Sequence, residues 1–253
     1  MRLLTDTVVV ITGASRGIGA AMARQFADEK VKLVLAARGK DRLAETAKSL
    51  RLPKDKLVTV TADVSKRTGM KRIIETAYKK FGRIDVFINN AGVGVSGSVT
   101  ELGEKDYDLM FDTNLKSIYF CFKDLLPLYE KQGGGQIINV SSMAGRHGVP
   151  NLAAYAATKA ALNVFSESVA GEVRNDNIKI SVLAPGSTDT TFGSGSRRES
   201  SKSSTGKKML TAQEVAEADF NNLQVGADIT ANGETKTVTI KTRIVYRRYI
   251  PCG

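Results

Sequence analysis

The apolar positions of this chain change their period in a regular way. Val8-Val9-Val10-Ile11 is wholly apolar and β-branched, which suits a strand buried on both faces of a sheet. Beyond residues 12–19 the period lengthens, and Ala20, Ala23, Phe26 and Ala27 fall on one side of a helix. Lys32–Ala37 reads as a second strand and 41–50 as a second helix; Leu57–Thr61 and 70–81 repeat the pair, and 84–88 is a fourth strand. Residues 106–129 form a long apolar-rich helix, with Pro127 near its end where a missing N–H does least damage. Gly133-Gly134-Gly135 breaks that helix, and 136–140, 153–174 and Ile178–Leu183 follow as strand, helix and strand. Strands alternating with helices of about ten or more residues imply right-handed βαβ units. The expected fold class is α/β: a doubly wound, parallel, about seven-stranded sheet with helices on both faces. No boundary or repeat divides it, so 1–253 is expected to be a single domain.

The pattern changes after Pro185-Gly186. Residues 193–208 are rich in serine, glycine and basic side chains with almost nothing to bury, and read as a mobile lid. Thr211-Ala212-Gln213-Glu214 has the form of a capping box opening a helix that runs through Leu223. Residues 237–246 are rich in β-branched side chains and read as the last strand, inside an atypical C-terminal segment at 225–253.

Composition narrows the class. The 253 residues are 42% hydrophobic and 25% charged, as expected of an ordinary globular chain with a large core. The two cysteines, Cys121 and Cys252, make no disulfide framework and point to a reducing compartment. The N-terminus meets Thr5 and Asp6 before any long apolar run, and no stretch has transmembrane length. A cytoplasmic location away from membranes is expected. The net charge of +11 is scattered and accompanies no nucleic-acid motif. It suits attraction of an anionic cofactor or substrate better than nucleic-acid binding.

Two stretches carry candidate chemistry. Tyr155 and Lys159 stand one helical turn apart on the same face. An ammonium beside a phenol favours the phenolate and brings its pKa toward neutrality, so such a pair can move a proton at a substrate oxygen. On many helices the same spacing is only a solvated lysine over a half-buried tyrosine. Gly13-x-x-x-Gly17-x-Gly19 lies directly between a buried strand and a helix. Glycines there allow a sharp turn and let backbone approach a pyrophosphate at the helix N-terminus. The second strand ends in Ala36-Ala37-Arg38 with no acid to meet a ribose 2′-hydroxyl. Arg38, aided by Arg16, suits a 2′-phosphate instead, which favours NADP(H) over NAD(H); otherwise both are solvated surface arginines.

With Thr12 before the glycines, Asn89-Asn90-Ala91-Gly92 after the fourth strand, Asn114 in the long helix, Ser142 thirteen residues before Tyr155, and Pro185-Gly186 after the sixth strand, the chain resembles the short-chain dehydrogenase/reductase family over about 5–190. That resemblance implies a Rossmann-type domain and a proton-transfer site made of Asn114, Ser142, Tyr155 and Lys159. Tyr155 would be the acid/base, Lys159 would lower its pKa and hold the nicotinamide ribose, and Ser142 would hydrogen-bond the substrate oxygen. Ser141 is the alternative to Ser142. Asn114 would support a water leading from Lys159, or merely bend its helix. The cofactor would meet Gly13, Ser15, Arg16, Gly17, Ile18, Gly19, Arg38, Asn90, Ala91, Gly92, Tyr155, Lys159, Pro185 and Gly186. Thr188 and Thr190 fit positions near the nicotinamide amide. Asp63-Val64 fits the pair beside the adenine, although Asp63 could also be a helix N-cap.

The same resemblance implies a carbonyl or alcohol substrate, with a 3-oxoacyl thioester or small ketone first and a steroid or sugar alcohol second. A catalytically silent NADP-binding regulator is the alternative from another class. The helices at 106–129 and 153–174 resemble those that pair subunits, so a homodimer or homotetramer is expected. His147, the single histidine, is expected on a surface loop, and no metal site is expected. Residues 221–253 lack the family's glycine-rich acidic turn.

Overall fold

A computed structural model describes residues 6–29, 31–186, 188–189, 210–216, 223–231 and 234–242. Strands β1 (Val8–Thr12), β2 (Lys32–Ala37), β3 (Leu57–Thr61), β4 (Val86–Asn89), β5 (Gly135–Val140) and β6 (Ile178–Leu183) form one parallel sheet in the order β3-β2-β1-β4-β5-β6. The helices between them are α1 (Gly17–Asp28), α2 (Lys40–Ser49), α3 (Arg67–Phe81), α4 (Glu104–Phe111), α5 (Ser117–Gln132) and α6 (Ala153–Glu172). This is the doubly wound α/β arrangement that the alternating pattern predicts.

Neighbouring residues of β1 go to opposite faces, which is why its run is unbroken. Val10 packs with Val34, Phe87, Met70, Ile73, Cys121, Leu125 and Leu162 on the side of α3, α5 and α6. Val9 and Ile11 pack with Leu33, Leu35, Met22, Phe26 and Leu43 on the side of α1 and α2. A strand covered on both faces favours an unbroken apolar run. Both faces thus hold the C-terminal ends of β1 and β4 in fixed register, and the sheet order reverses between them.

Three details go beyond the pattern. Among the described residues the sheet has six strands, in keeping with the expected about seven, and the segment read as the last strand pairs antiparallel as β10 (Glu234–Thr242) with β9 (Leu223–Ala231) in a separate hairpin. Its alternating β-branched residues determined that it is a strand, not which sheet it joins. The helix opened by Thr211 is real at its start, since Glu214 N donates to Thr211 Oγ1 at 3.0 Å and Thr211 N to Glu214 Oε2 at 2.7 Å. It does not reach Leu223, which begins β9. Finally, the long helix at 106–129 is not one regular helix. A π turn at Asp112–Lys116 joins α4 to α5, and such turns commonly mark functional sites. A short parallel pair, β7 (Thr188–Asp189) with β8 (Leu210–Thr211), completes the described elements. The 193–208 lid, and most of the 225–253 segment beyond the hairpin, lie outside the described residues.

Candidate active site

A cavity of about 640 Å³ opens at the C-terminal ends of the strands, beside the point where the strand order reverses. Open α/β sheets bind ligands there, and the volume is in the usual range for small-molecule sites. One end is formed by the glycine turn. Gly13 has φ +66°, and a Cβ on it would stand 2.8 Å from Ala91 Cα. Gly17 is also left-handed at φ +55°. A Cβ on Gly19 would run into the Gly13 carbonyl and the Asn90 amide. Only glycine fits these positions. The turn is stitched to the segment after β4: Thr12 Oγ1 accepts from the backbone N–H groups of Asn90 (3.0 Å) and Ala91 (3.1 Å), while Asn90 Nδ2 donates to the carbonyls of Thr12 (2.9 Å) and Gly13 (3.2 Å). No side chain caps α1, so its first N–H groups remain available to an anion. Gly13, Ser15, Arg16, Gly17 and Ile18 line the cavity, with Asn90, Ala91 and Gly92 beside them, while Gly19 supports the turn.

The same cavity is lined by Arg16, Arg38, Asp63 and Val64, and by Arg42, which the motif reading passed over. Asp63 Oδ1 accepts from Ser65 N at 3.0 Å, and the N-cap position of α3 is Lys66, so Asp63 turns the chain rather than capping that helix. Arg42 was legible in principle, since it lies four residues beyond Arg38 on a helix starting at Lys40. Pro185 and Gly186 also line the cavity. Thr188 lies on β7, with its side chain outside the described set, as is all of Thr190.

At the other end, Ser142 leaves β5 and meets α6. Ser142 and Tyr155 line the cavity together, and Ser142 Oγ accepts from Ala144 N at 3.2 Å. Ser141 is turned away, with its hydroxyl donating to the Lys159 carbonyl at 3.3 Å, which separates the two serines as the sequence could not. Gly145 lets this loop close on α6, because a Cβ there would lie 2.7 Å from the Lys159 carbonyl carbon. Lys159 is buried, its Nζ 2.8 Å from the Val140 carbonyl and 5.9 Å from the centre of the Tyr155 ring.

Burial dominates the electrostatics of both groups. Burial raises the Tyr155 phenol above its ordinary value, and the Ser142 hydrogen bond offsets part of that rise. The Lys159 side chain hydrogen-bonds the Val140 carbonyl and lies beside the Tyr155 ring. Burial lowers Lys159 itself, from 10.5 to about 8. Asn114 sits in the π turn, where its amide clasps both backbone groups of Val93 (Oδ1 from N, 2.8 Å; Nδ2 to O, 2.8 Å) and donates to Thr158 Oγ1 at 3.0 Å. It therefore ties the segment after β4 to the helix carrying Tyr155. Val93, Gly94, Ser96, Thr113 and Leu152 line the cavity as well and were not singled out by the motifs. His147 is exposed and away from the cavity. No group of three metal-ligating side chains occurs among the described residues, and no helix among them is long and apolar enough to cross a membrane.

A doubly wound sheet with a glycine cradle at its switch point and a tyrosine–serine pair at the far end defines a dinucleotide-dependent oxidoreductase architecture. Residues 7–201 match the family model for short chain dehydrogenases, and the chain belongs to that family. An uncharacterized oxidoreductase of Staphylococcus aureus (strain MRSA252) is 34% identical over 218 residues, 86% of this chain and 91% of that protein. One from Staphylococcus saprophyticus is 32% identical over 233 residues, 92% of this chain and 97% of that protein. Among solved structures, levodione reductase superposes with a TM-score of 0.79 at 27% identity, covering 85% of this chain and 90% of that one. A 3-ketoacyl-(acyl-carrier-protein) reductase from Brucella melitensis, complexed with NADH, gives 0.77 at 28% identity, covering 86% and 90%. A short-chain dehydrogenase/reductase from Burkholderia phymatum in complex with NAD gives 0.77 at 27% identity, covering 87% and 86%.

Proposed function

We propose that the chain is an NADP(H)-dependent oxidoreductase interconverting a carbonyl and a secondary alcohol, with a small ketone or 3-oxoacyl thioester as substrate. The observation that carries this reading is that Ser142, Tyr155 and Lys159 line the far end of the cavity that begins at the glycine cradle. The cradle, the uncapped start of α1 and the cavity volume fit a dinucleotide. When bound, the nicotinamide supplies the hydride chemistry.

The protein supplies the proton and the orientation. Tyr155 gives its proton to the substrate oxygen during carbonyl reduction and takes it back during alcohol oxidation. Its raised pKa keeps the phenol protonated at neutrality, which suits it as the acid. Ser142 shares the substrate oxygen and stabilises charge there. Lys159, lowered to about 8, exchanges protons near neutrality and holds ribose hydroxyls. Asn114 keeps α6 in place against Val93.

Cofactor choice rests on charge. Arg16, Arg38 and Arg42 line the cavity, and β2 ends at Ala37 without an acid, a combination that recognises a 2′-phosphate. The Burkholderia and Brucella proteins carry NAD and NADH; the arginines favour the phosphorylated form in this chain. We further read residues 1–253 as one binding and catalytic unit, cytoplasmic, and assembled as a homodimer or homotetramer through α5 and α6. Exposed Tyr119 and Val164 on those helices favour such packing.

The test is NADPH oxidation with a panel of ketones and 3-oxoacyl thioesters, using Tyr155→Phe as control. Turnover by the wild type and its loss in the variant, with NADPH binding kept, is expected. If both proteins bind NADPH and neither turns over any substrate, the chain is a binding protein and not an enzyme.

A further inference from the structure

Tyr155, Lys159 and Asn163 follow one another at four-residue intervals on α6, so their side chains leave the helix toward one side. The first two line the cavity and the third does not. Asn163 Nδ2 donates instead to the Gly145 carbonyl at 3.2 Å. Its Oδ1 is buried and has no hydrogen-bond partner. An amide left half satisfied costs the fold, whereas an apolar side chain of the same size would carry no orphaned oxygen. The bond to Gly145 is what the amide contributes in return.

Gly145 ends the 3-10 turn Met143–Gly145, and Ser142 is the N-cap of that turn. Ser142 Oγ accepts from Ala144 N at 3.2 Å, and Ser142 O accepts from Gly145 N at 3.0 Å. The turn therefore fixes where the serine hydroxyl stands. On one side Met143 N donates to the Pro185 carbonyl at 2.9 Å. On the other the turn lies against α6, where a Cβ on Gly145 would stand 2.7 Å from the Lys159 carbonyl carbon. That contact stops the turn from coming closer. The Asn163 bond stops it from moving away, next to the bond from Ser141 Oγ to the Lys159 carbonyl.

We propose that Asn163 is a positioning residue: its amide holds the 143–145 turn on α6 and so sets the Ser142 hydroxyl beside Tyr155. This rests on the oxidoreductase reading above. Ser142 and Tyr155 have to meet one substrate oxygen together, and a misplacement of about 1 Å in such a pair costs up to about 10²-fold in rate. One rigid helix thus carries the acid, the lysine and the amide that places the serine.

The experiment measures kcat, the KM for NADPH and thermal unfolding, with a ketone that the wild type reduces. The proteins are the wild type, Asn163→Leu, Asn163→Asp, Ser142→Ala, and the double variants that combine each Asn163 substitution with Ser142→Ala. Leucine and aspartate both lack the amide donor, one being apolar and the other polar, so a loss they share traces to the donor. Each Asn163 variant is expected to lower kcat about three- to tenfold, the range of one hydrogen bond, with the KM for NADPH within about twofold of wild type. In the Ser142→Ala background neither should lower kcat by more than about twofold, because no hydroxyl is left to position. A residue that only stabilised the loop would give the same factor in both backgrounds. The proposal is overturned if the losses multiply in the double variants, if both Asn163 variants turn over like the wild type, or if both are unfolded at the assay temperature. A wild type that binds NADPH and reduces no ketone sinks the oxidoreductase reading, and this role of Asn163 with it.

Discussion

Lys159 should cost the fold stability near neutral pH, and removing its charge should make the protein more stable while ending its function. Burial lowers its pKa from 10.5 to about 8, a penalty on the charged form of about 3 kcal/mol. The penalty is offset in part by the hydrogen bond to the Val140 carbonyl, worth about 1–2 kcal/mol when a buried acceptor would otherwise be orphaned. Lys159→Met keeps the aliphatic stem and removes both, so it should be about 1–2 kcal/mol more stable at pH 7. The pH dependence gives the sharper test. A lysine whose pKa is lower in the folded than in the unfolded chain leaves the unfolded state binding more protons, so wild-type stability rises with pH between about 8 and 10.5. The advantage of the variant is therefore complete below about pH 8 and shrinks above it. By pH 9.5 it should have lost about 2 kcal/mol and vanished or reversed. Burial holds Tyr155 and Cys121 above their ordinary values, which acts in the opposite sense at higher pH, but both groups occur in both proteins and cancel in the difference. Urea unfolding of wild type and Lys159→Met at several pH values from 7 to 10, extrapolated to zero urea, measures this directly. A wild type more stable at pH 7, or a gap that does not change with pH, would refute the assignment of a desolvated ammonium.

Other outcomes follow from the same site. Ser142→Ala removes the hydrogen bond that lowers the Tyr155 phenol, so the limb of alcohol oxidation that rises with pH should move upward and its neutral rate fall about 10²-fold; a pH–rate profile with an unmoved limb would contradict this. Arg38→Asp should weaken NADPH at least about tenfold more than NADH, and Arg42→Ser should do the same to a smaller degree. Equal losses for both cofactors in a binding titration would remove the argument from charge. Gly19→Ala sets a Cβ against the Gly13 carbonyl and the Asn90 amide, so it should lose about 1–3 kcal/mol in urea unfolding and bind cofactor poorly; unchanged stability would show that the turn can yield.

Much of the fold was legible because each of its strands carries its burial in its own sequence. Val8-Val9-Val10-Ile11 cannot face water on either side, and β2, β3 and β6 fall where the pattern places them. The glycines were legible because a left-handed φ or a close backbone approach admits only one residue type. The π turn was not, because its residues, Asp112-Thr113-Asn114-Leu115-Lys116, have no composition that distinguishes them from a helix. What sets it is tertiary: the Asn114 amide bonded to Val93, twenty-one residues earlier. Similarly, nothing local in 237–246 says that its strand belongs to a hairpin with β9 and not to the main sheet. The hydrogen-bond partner of Lys159 was not legible for the same reason. Spacing on α6 sets it beside Tyr155, but its partner is a carbonyl of β5.

The groups that line the cavity bear on function by their arrangement. Elsewhere in the interior many polar side chains are satisfied, while Asp124 Oδ2, Gln136 Oε1 and Asn163 Oδ1 are not. Asn89 donates to Asn139 at 2.9 Å and Asn139 to Ser166 at 2.8 Å, while Tyr129 donates to the Gln136 carbonyl at 3.0 Å. Along the cavity a lysine is desolvated and a phenol is held protonated by burial, one helical turn apart on α6. A core optimised only for stability would replace each with an apolar residue of similar size. Strain and incomplete pairing of this kind are retained where binding or chemistry completes them. A desolvated lysine and a buried phenol on one cavity, at the switch point of a doubly wound sheet, therefore favour an enzyme over a protein that only binds a nucleotide. A binding protein would need the glycine cradle and the arginines, but would have no use for a buried lysine and a neutral tyrosine at the far end.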